Sequence, residues 1–80
     1  MKLAIVNANA SSPHGAFYLE IDENCNVGDM KWKIKGLTGI GVKAQALYYK
    51  GISLDNRHEL LKDLGMQDGD HISLAAFHTS

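Results

Sequence analysis

Alternating hydrophobic and polar residues near the start of the chain predict two β-strands, over residues 1–6 and 16–21. In both segments every second side chain is hydrophobic, which is typical of a strand with one face against a core. The side chains of this face are those of Met1, Leu3, Ile5, Phe17, Leu19 and Ile21. Residues 7–15 are rich in Asn, Ser, Pro and Gly and are expected to form a loop, so the two strands would pair as an antiparallel hairpin.

The spacing of hydrophobic residues changes to that of an α-helix after a polar linker at residues 22–26. Four of them recur at intervals of three, four and three residues and would share one buried side of a helix. They are Val27, Met30, Ile34 and Leu37. Either Asn26 caps the start of this helix or Asp29 supports its first turn. The helix is expected to end near Thr38 and Gly39, where glycine suits a left-handed cap.

The rest of the chain predicts three further strands and one helical turn. The strands cover residues 46–50, residues around 52–54 and residues 71–77, with a helical turn at 60–64 and a tight turn at 67–70. On the last strand, Ile72, Leu74 and Ala76 share one face. This order predicts the α+β class, a roll in which one helix packs across a mixed sheet of four to five strands.

Length and composition indicate one folded domain. The chain has 80 residues, of which 45% are hydrophobic and 21% are charged. We expect the domain to cover residues 1–77, with residues 78–80 as the start of a linker or tail. The formal net charge of -1 argues against a general nucleic-acid binder, which needs a surplus of basic residues to neutralise phosphates.

The sequence also bears on where the protein works. Its hydrophobic runs are too short to span a membrane, and its first residues lack the long apolar segment of a signal peptide. The single cysteine, Cys25, cannot form an internal disulfide, which favours a reducing compartment. We therefore expect a cytoplasmic or nuclear location, or both.

Residue types that carry catalysis or bind metals are not arranged for either role. The Asp-Thr-Gly or Asp-Ser-Gly loop of an aspartic protease is missing, and Cys25 has no suggestively placed His and is expected to be a loop or half-buried thiol. The histidines lack metal-ligand spacing; they are His14, His58, His71 and His78. A phosphate-binding loop is also missing, because Gly36, Gly39 and Gly41 follow the helix and do not precede one. A binding module without catalytic residues, cofactor or metal is expected.

Several segments occur in the order and spacing of one known family. They are residues 27–34 with its helical spacing, Gly-Ile at 39–40, Leu-Tyr-Tyr-Lys-Gly at 47–51, Leu-Lys-Asp-Leu-Gly-Met at 61–66 and Asp-Gly-Asp at 68–70. The segment at 47–51 is similar to the family's Leu-Ile-Phe-Ala-Gly, and the one at 61–66 to its Leu-x-Asp-Tyr-x-Ile turn. The chain thus resembles ubiquitin and its relatives from Met1 to about Ala76, which implies a ubiquitin-like β-grasp fold.

Within this family the chain looks most like the N-terminal ubiquitin-like domain of DNA-damage-inducible shuttle proteins. The features are residues 47–49, the polar loop after Leu54 and Asp55, and Leu-x-Asp-Leu-Gly at 61–65. Such proteins carry a retroviral-type aspartic protease domain and often a ubiquitin-binding helical domain. The resemblance implies a non-covalent interaction module of a proteasomal shuttle or adaptor in ubiquitin-dependent degradation, with a proteasome receptor or ubiquitin as partner.

Two other roles are considered. The domain could instead dock on neighbouring domains of its own protein and regulate them. Covalent tagging is disfavoured, because the chain ends without the Gly-Gly tail of the conjugated relatives. The isolated domain is expected to be a monomer that binds neither nucleic acid nor membranes.

The resemblance implies a binding surface on the solvent face of the sheet, at positions that match Tyr48, Ser73 and Ala75. By strand alternation the same face carries Lys2, Ala4, Val6, Tyr18, His71 and Phe77. Aromatic and small apolar side chains on an exposed sheet favour a partner surface, and Lys50 beside them would meet an acidic partner. The predicted contact residues are Tyr48, Ser73, Ala75, Lys50, Phe77 and Val6. The alternative is that these are ordinary exposed side chains, since tyrosine favours strands in general.

Trp32 is a second candidate contact, because it lies about 200° around the helix from Met30 and so leaves the buried stripe. It is either a partner contact or a ring that lies along the helix and covers neighbouring aliphatic stems, and the second interpretation is favoured. Lys31, Lys33 and Lys35 spread over different sides of the helix and are expected to be a solvated surface.

Overall fold

The computed structural model describes residues 1–7 and 16–76. Most of the predicted loop at 7–15, together with Phe77 and the tail at 78–80, lies outside these residues. The described elements are strands β1 (Lys2–Asn7) and β2 (Ala16–Glu20), helix α1 (Val27–Thr38), a short 3-10 helix (Val42–Ala44), and strands β3 (Gln45–Tyr49), β4 (Ile52–Ser53) and β5 (His71–Ala76). Every predicted strand is present, and the bounds differ from the predicted ones by one residue at most ends.

The strands form one mixed sheet in the order β2-β1-β5-β3-β4. The central strands β1 and β5 run parallel, with Ile5 opposite Ile72, and the remaining neighbours are antiparallel. The hairpin pairing continues past β2, because the Met1 ammonium donates to the Ile21 carbonyl at 2.7 Å and the Ile21 N–H donates to the Met1 carbonyl at 2.9 Å. The predicted class is therefore confirmed as a β-grasp roll with one helix on a mixed five-stranded sheet.

Helix α1 buries three of its four stripe residues against the sheet. Val27, Met30 and Ile34 are fully buried, in one core with the inward residues of β1, β3 and β5. The predicted burial of Leu37 is wrong, since 60% of its surface is exposed. Leu37 lies in the last turn of α1 and borders an open groove beside the edge strand β2, so none of the described elements covers its outer flank. Periodicity gives the side on which a residue lies, but not how far the sheet extends beneath it.

Both ends of α1 are fixed by local hydrogen bonds. The Asn26 side chain accepts from the Asp29 N–H at 2.8 Å, and the Asp29 carboxylate accepts from the Asn26 N–H at 3.2 Å. Both predicted roles therefore operate together as a capping box. At the other end Gly39 takes a left-handed φ of 77° and donates its N–H to the Lys35 carbonyl, which confirms the predicted cap.

The segment after β4 wraps around the start of α1. The Val27 N–H donates to the Glu59 carbonyl and the Gly28 N–H to the Arg57 carbonyl, at 3.0 and 2.9 Å. Glycine at position 28 favours this close approach, because a Cβ there would lie 3.2 Å from the Arg57 oxygen and the segment would have to move away by a few tenths of an ångström. The predicted helical turn follows, and its Leu61 is fully buried. The Leu61 N–H donates to the Cys25 carbonyl at 3.0 Å. The Cys25 side chain is half-buried, as expected.

Candidate functional site

The face of the sheet opposite α1 carries a row of outward residues that crosses all five strands. Its members are Ala16, Val6, Ser73, Tyr48 and Ser53, each directly opposite the next. Their neighbours along the strands, such as Ile5, Leu47 and Ile72, are buried in the core, so alternation turns the row toward solvent. We refer to this row, with the adjacent Ala4, Tyr18, His71 and Ala75, as the sheet face.

Three of the six predicted contact residues come together in this row. Tyr48 and Val6 flank Ser73, and their exposed fractions are 39% and 41%. The predicted exposure of Tyr48 is confirmed. The small Ser73 thus lies between two larger, partly exposed side chains.

Of the other three predicted contact residues, the structure describes two, and both lie outside this row. Ala75 lies opposite Ala46 in the next row and is half-buried. Lys50 follows β3 in a left-handed conformation, with φ of 51°, and its ammonium lies 5.2 Å from the centre of the Tyr49 ring. Phe77 lies outside the described residues. Sequence alternation therefore places the centre of the sheet face and Ala75 correctly, and the placement of Phe77 stays a prediction.

Lys50 shares a shallow depression with Tyr48, Ser73, His71 and Asp70. The depression combines a tyrosine ring with a cation and a carboxylate, so its net charge is small. A partner would meet an aromatic surface with hydrogen-bonding groups at its rim, and the expected preference of Lys50 for an acidic partner is offset by Asp70.

Asp70 is held in place from beneath the sheet face by Tyr49. The buried Tyr49 hydroxyl donates to the Asp70 carboxylate at 2.6 Å, and the Gln67 N–H donates to the same oxygen at 3.0 Å. The hydrogen bond from Tyr49 is the main reason why the pKa of Asp70 is lowered, and the same bond raises the pKa of Tyr49. These two hydrogen bonds fix the Asp70 carboxylate at the rim of the depression.

Tyr18 extends the sheet face to the edge strand β2, and sequence reasoning gave it no contact role. It is 68% exposed, it lies opposite Ala4, and the Lys2 ammonium sits 4.7 Å from its ring centre. Three strand spacings, about 14 Å, separate β2 from β3, and Tyr18 lies two residues along the strands from the row that contains Tyr48. The two tyrosines border a centre made of small residues.

Trp32 is 62% exposed on α1, and the Lys35 ammonium lies 4.6 Å from its ring centre. The ring thus lies beside the ammonium of the lysine one turn further along the helix, and most of its surface remains open. No group of three metal-ligating side chains occurs within the described parts of the chain, 1–7 and 16–76. No helix there has the length and hydrophobicity needed to cross a membrane.

Known proteins share this fold and part of this sequence. A solved ubiquitin of Caldiarchaeum subterraneum is similar at a TM-score of 0.87 and 30% identity, over 100% of this chain and 96% of that one. A ubiquitin-like domain of the Arabidopsis thaliana protein At2g32350 has a TM-score of 0.86 and 23% identity, over 99% of this chain and 79% of that one. ATBAG1, solved in complex with HSP70, has a TM-score of 0.83 and 22% identity, over 96% of this chain and 40% of that one.

No curated protein sequence matches the chain. A family model does: the one described as "Ubiquitin family" matches residues 9–76. Since that match covers most of the sequence, and the Caldiarchaeum subterraneum ubiquitin is 30% identical over the whole of it, the chain belongs to the ubiquitin family.

Proposed function

We propose that this domain is the non-covalent protein-interaction module of a proteasomal shuttle or adaptor protein and binds ubiquitin or a proteasome receptor through the sheet face. Ubiquitin-like domains are typically protein-interaction modules and are generally not enzymes. The domain would link substrates marked for degradation to the proteasome, while any catalysis would reside in another domain.

The row Val6, Ser73 and Tyr48 is the observation that carries this proposal. It presents two large, partly exposed side chains around a small one on a rigid five-stranded sheet. A rigid surface loses little conformational entropy on binding, and tyrosine is enriched among residues that contribute most to interfaces. ATBAG1, a similar structure, was solved in complex with another protein, HSP70, which supports a protein partner here as well.

The proposal extends to the parent protein. The segments that resemble DNA-damage-inducible shuttle proteins support a parent that carries a retroviral-type aspartic protease domain elsewhere in its sequence. Such a protein would act in the cytoplasm, the nucleus or both, where the ubiquitin system operates.

Amide NMR of the isotope-labelled domain tests the proposal, with ubiquitin and a purified ubiquitin-receptor subunit of the proteasome added in separate titrations. We expect chemical-shift changes centred on Val6, Tyr48, Ser73 and Ala75 with one of the two. Tyr48→Ala should weaken that binding about tenfold, which corresponds to the loss of about 1.4 kcal/mol from a contact residue.

Leu37→Ala is the matched control, because Leu37 is also large and exposed but lies on the helix, on the other side of the sheet. It should leave the affinity unchanged. Shift changes that avoid the sheet face with both partners, or none with either, would refute the proposal.

A further inference from the structure

A second surface lies between α1 and the segments that follow it. We call it the Trp32 groove, and its main walls are Lys31, Trp32, Lys35, Val42, Lys43 and Arg57. Gly28 and Gly41 also line it and add no side chains to it. None of its lining residues lines the depression on the sheet face.

From this geometry we infer that the Trp32 groove binds a short acidic segment of another protein, whose carboxylates pair with the groove lysines and arginine and whose central apolar side chain covers Trp32. The sheet face would stay free when the groove is occupied. This inference does not depend on the function proposed for the sheet face.

The charge of the groove differs from that of the whole molecule. Four cations and the single carboxylate of Asp55 give it a formal charge of +3, whereas the chain has a net charge of -1, which leaves -4 for the rest. Like charges so close together repel, and an acidic ligand would relieve that repulsion. The groove is therefore complementary to an anionic partner.

Among the described residues, 1–7 and 16–76, no carboxylate lies within 4.0 Å of the cations of the groove. The one ion pair within 4.0 Å in this part of the chain joins the Met1 ammonium to the Glu20 carboxylate, at 3.8 Å. The Asp55 carboxylate instead accepts a hydrogen bond of 2.8 Å from the Ser53 hydroxyl. A ligand would thus add ion pairs without breaking existing ones.

Trp32 supplies the apolar part of the site. Although 62% of it is exposed, its neighbours in the groove are mostly long cationic side chains and the half-buried Val42. An aliphatic side chain laid on the open part of the indole would remove both surfaces from water. Tryptophan and arginine are the residue types most enriched at the centres of protein interfaces.

A short peptide fits this groove better than a nucleic acid does. A polynucleotide continues past both ends of a groove this small and would meet the formal charge of -4 on the rest of the chain. A peptide of about ten residues, roughly 30 Å when extended, can place its carboxylates in the groove and keep its termini in solvent.

Trp32 also provides the assay, because it is the chain's single tryptophan and its fluorescence reports on the groove alone. The probe is a synthetic peptide of about ten Asp and Glu residues with one central Leu. We expect it to shift the Trp32 emission to shorter wavelength and to bind several-fold more weakly when salt is raised from about 0.05 to 0.3 M. A second peptide with Asn and Gln in place of the acids should leave the emission unchanged.

Charge-removing variants locate the binding. Lys43→Gln should weaken it about threefold to fivefold, as expected for one partly exposed ion pair. Lys33→Gln removes the same charge from the same helix but on its other side, where Lys33 lines the depressions next to Glu20, and should bind like the unmodified domain. Both side chains are exposed, so both variants should fold, which their amide NMR spectra check.

Three outcomes would overturn the inference. The first is the absence of any Trp32 response to the acidic peptide at low salt. The second is equal weakening by Lys43→Gln and Lys33→Gln, which would indicate attraction without a defined site. The third is tighter binding of a single-stranded oligothymidylate of similar length, which would assign the groove to nucleic acid.

Discussion

Two hydrophobic residues of α1 provide the sharpest test of the packing. Ile34 and Leu37 lie three residues apart and on the same side of the helix by sequence, yet Ile34 is fully buried and Leu37 is 60% exposed. Replacement of each by alanine in turn removes comparable side chains from two different environments. The two changes should therefore have very different effects on the free energy of unfolding.

The expected magnitudes follow from burial. Truncation of a fully buried isoleucine to alanine costs about 2–5 kcal/mol, because it removes apolar contacts and leaves a cavity. The better helix propensity of alanine returns roughly 0.5 kcal/mol, so Ile34→Ala should destabilise by about 2–4 kcal/mol. Full burial of a leucine contributes about 1.5–3 kcal/mol, and only the covered two-fifths of Leu37 counts, so Leu37→Ala should cost less than about 1 kcal/mol.

Urea unfolding followed by far-UV circular dichroism measures the difference. A chain of this size is expected to have a stability of about 4–12 kcal/mol, so Leu37→Ala should stay folded without denaturant, and Ile34→Ala should stay mostly folded if the starting stability exceeds about 6 kcal/mol. With a urea dependence of about 1 kcal/mol per M, the midpoint should fall by about 2–4 M for Ile34→Ala and by less than about 1 M for Leu37→Ala. Equal shifts, or a larger one for Leu37→Ala, would refute the placement of α1 on the sheet.

Three further changes test local interactions. Asn26→Ala removes the cap from α1 and should cost about 1 kcal/mol in the same urea experiment, whereas Asn26→Gly should cost only a few tenths. Tyr49→Phe removes the hydroxyl that donates to Asp70 and should cost about 1–2 kcal/mol without a change in the fold seen by NMR. Because the pKa of Asp70 in the folded protein lies below its ordinary value of 3.8, its contribution is present above that pH and is lost as the pH falls through the lowered pKa. Stability below about pH 4 should therefore fall less steeply in Asp70→Asn than in the unmodified domain, and equal acid slopes would contradict this assignment.

Much of the fold could be predicted from the sequence because side-chain periodicity is local. A two-residue period identifies the inward faces of β1, β2 and β5, and a three-to-four-residue period identifies α1. Capping is local too, so Asn26 and Gly39 could be assigned from their neighbours alone. The error at Leu37 arises from tertiary structure, since it depends on where the edge strand β2 ends relative to the helix.

The candidate sites were predicted less completely, because they depend on contacts between distant segments. The row on the sheet face requires the parallel register that places Val6 opposite Ser73, and strand alternation does not give that register. The bond between Tyr49 and Asp70 joins residues 21 positions apart. Of the groove cations only Lys31 and Lys35, one helical turn apart, could have been paired by helical spacing, and the prediction that the helix lysines spread over different sides is wrong for these two.

The two surfaces follow from one constraint of the fold. A single helix can cover only one face of a five-stranded sheet, so the other face must meet water, and the chain places Ala4, Ser73 and Ala75 at its centre instead of charged residues. The same helix has a solvent side of its own, and the glycine at position 28 lets the segment around Arg57 come close enough to wall a groove there. The centre of the sheet face thus lacks charged residues, and positive charge is concentrated in the Trp32 groove. Binding at the sheet face should therefore depend little on salt and binding in the groove strongly, so a salt titration with each partner would show whether the two surfaces act independently.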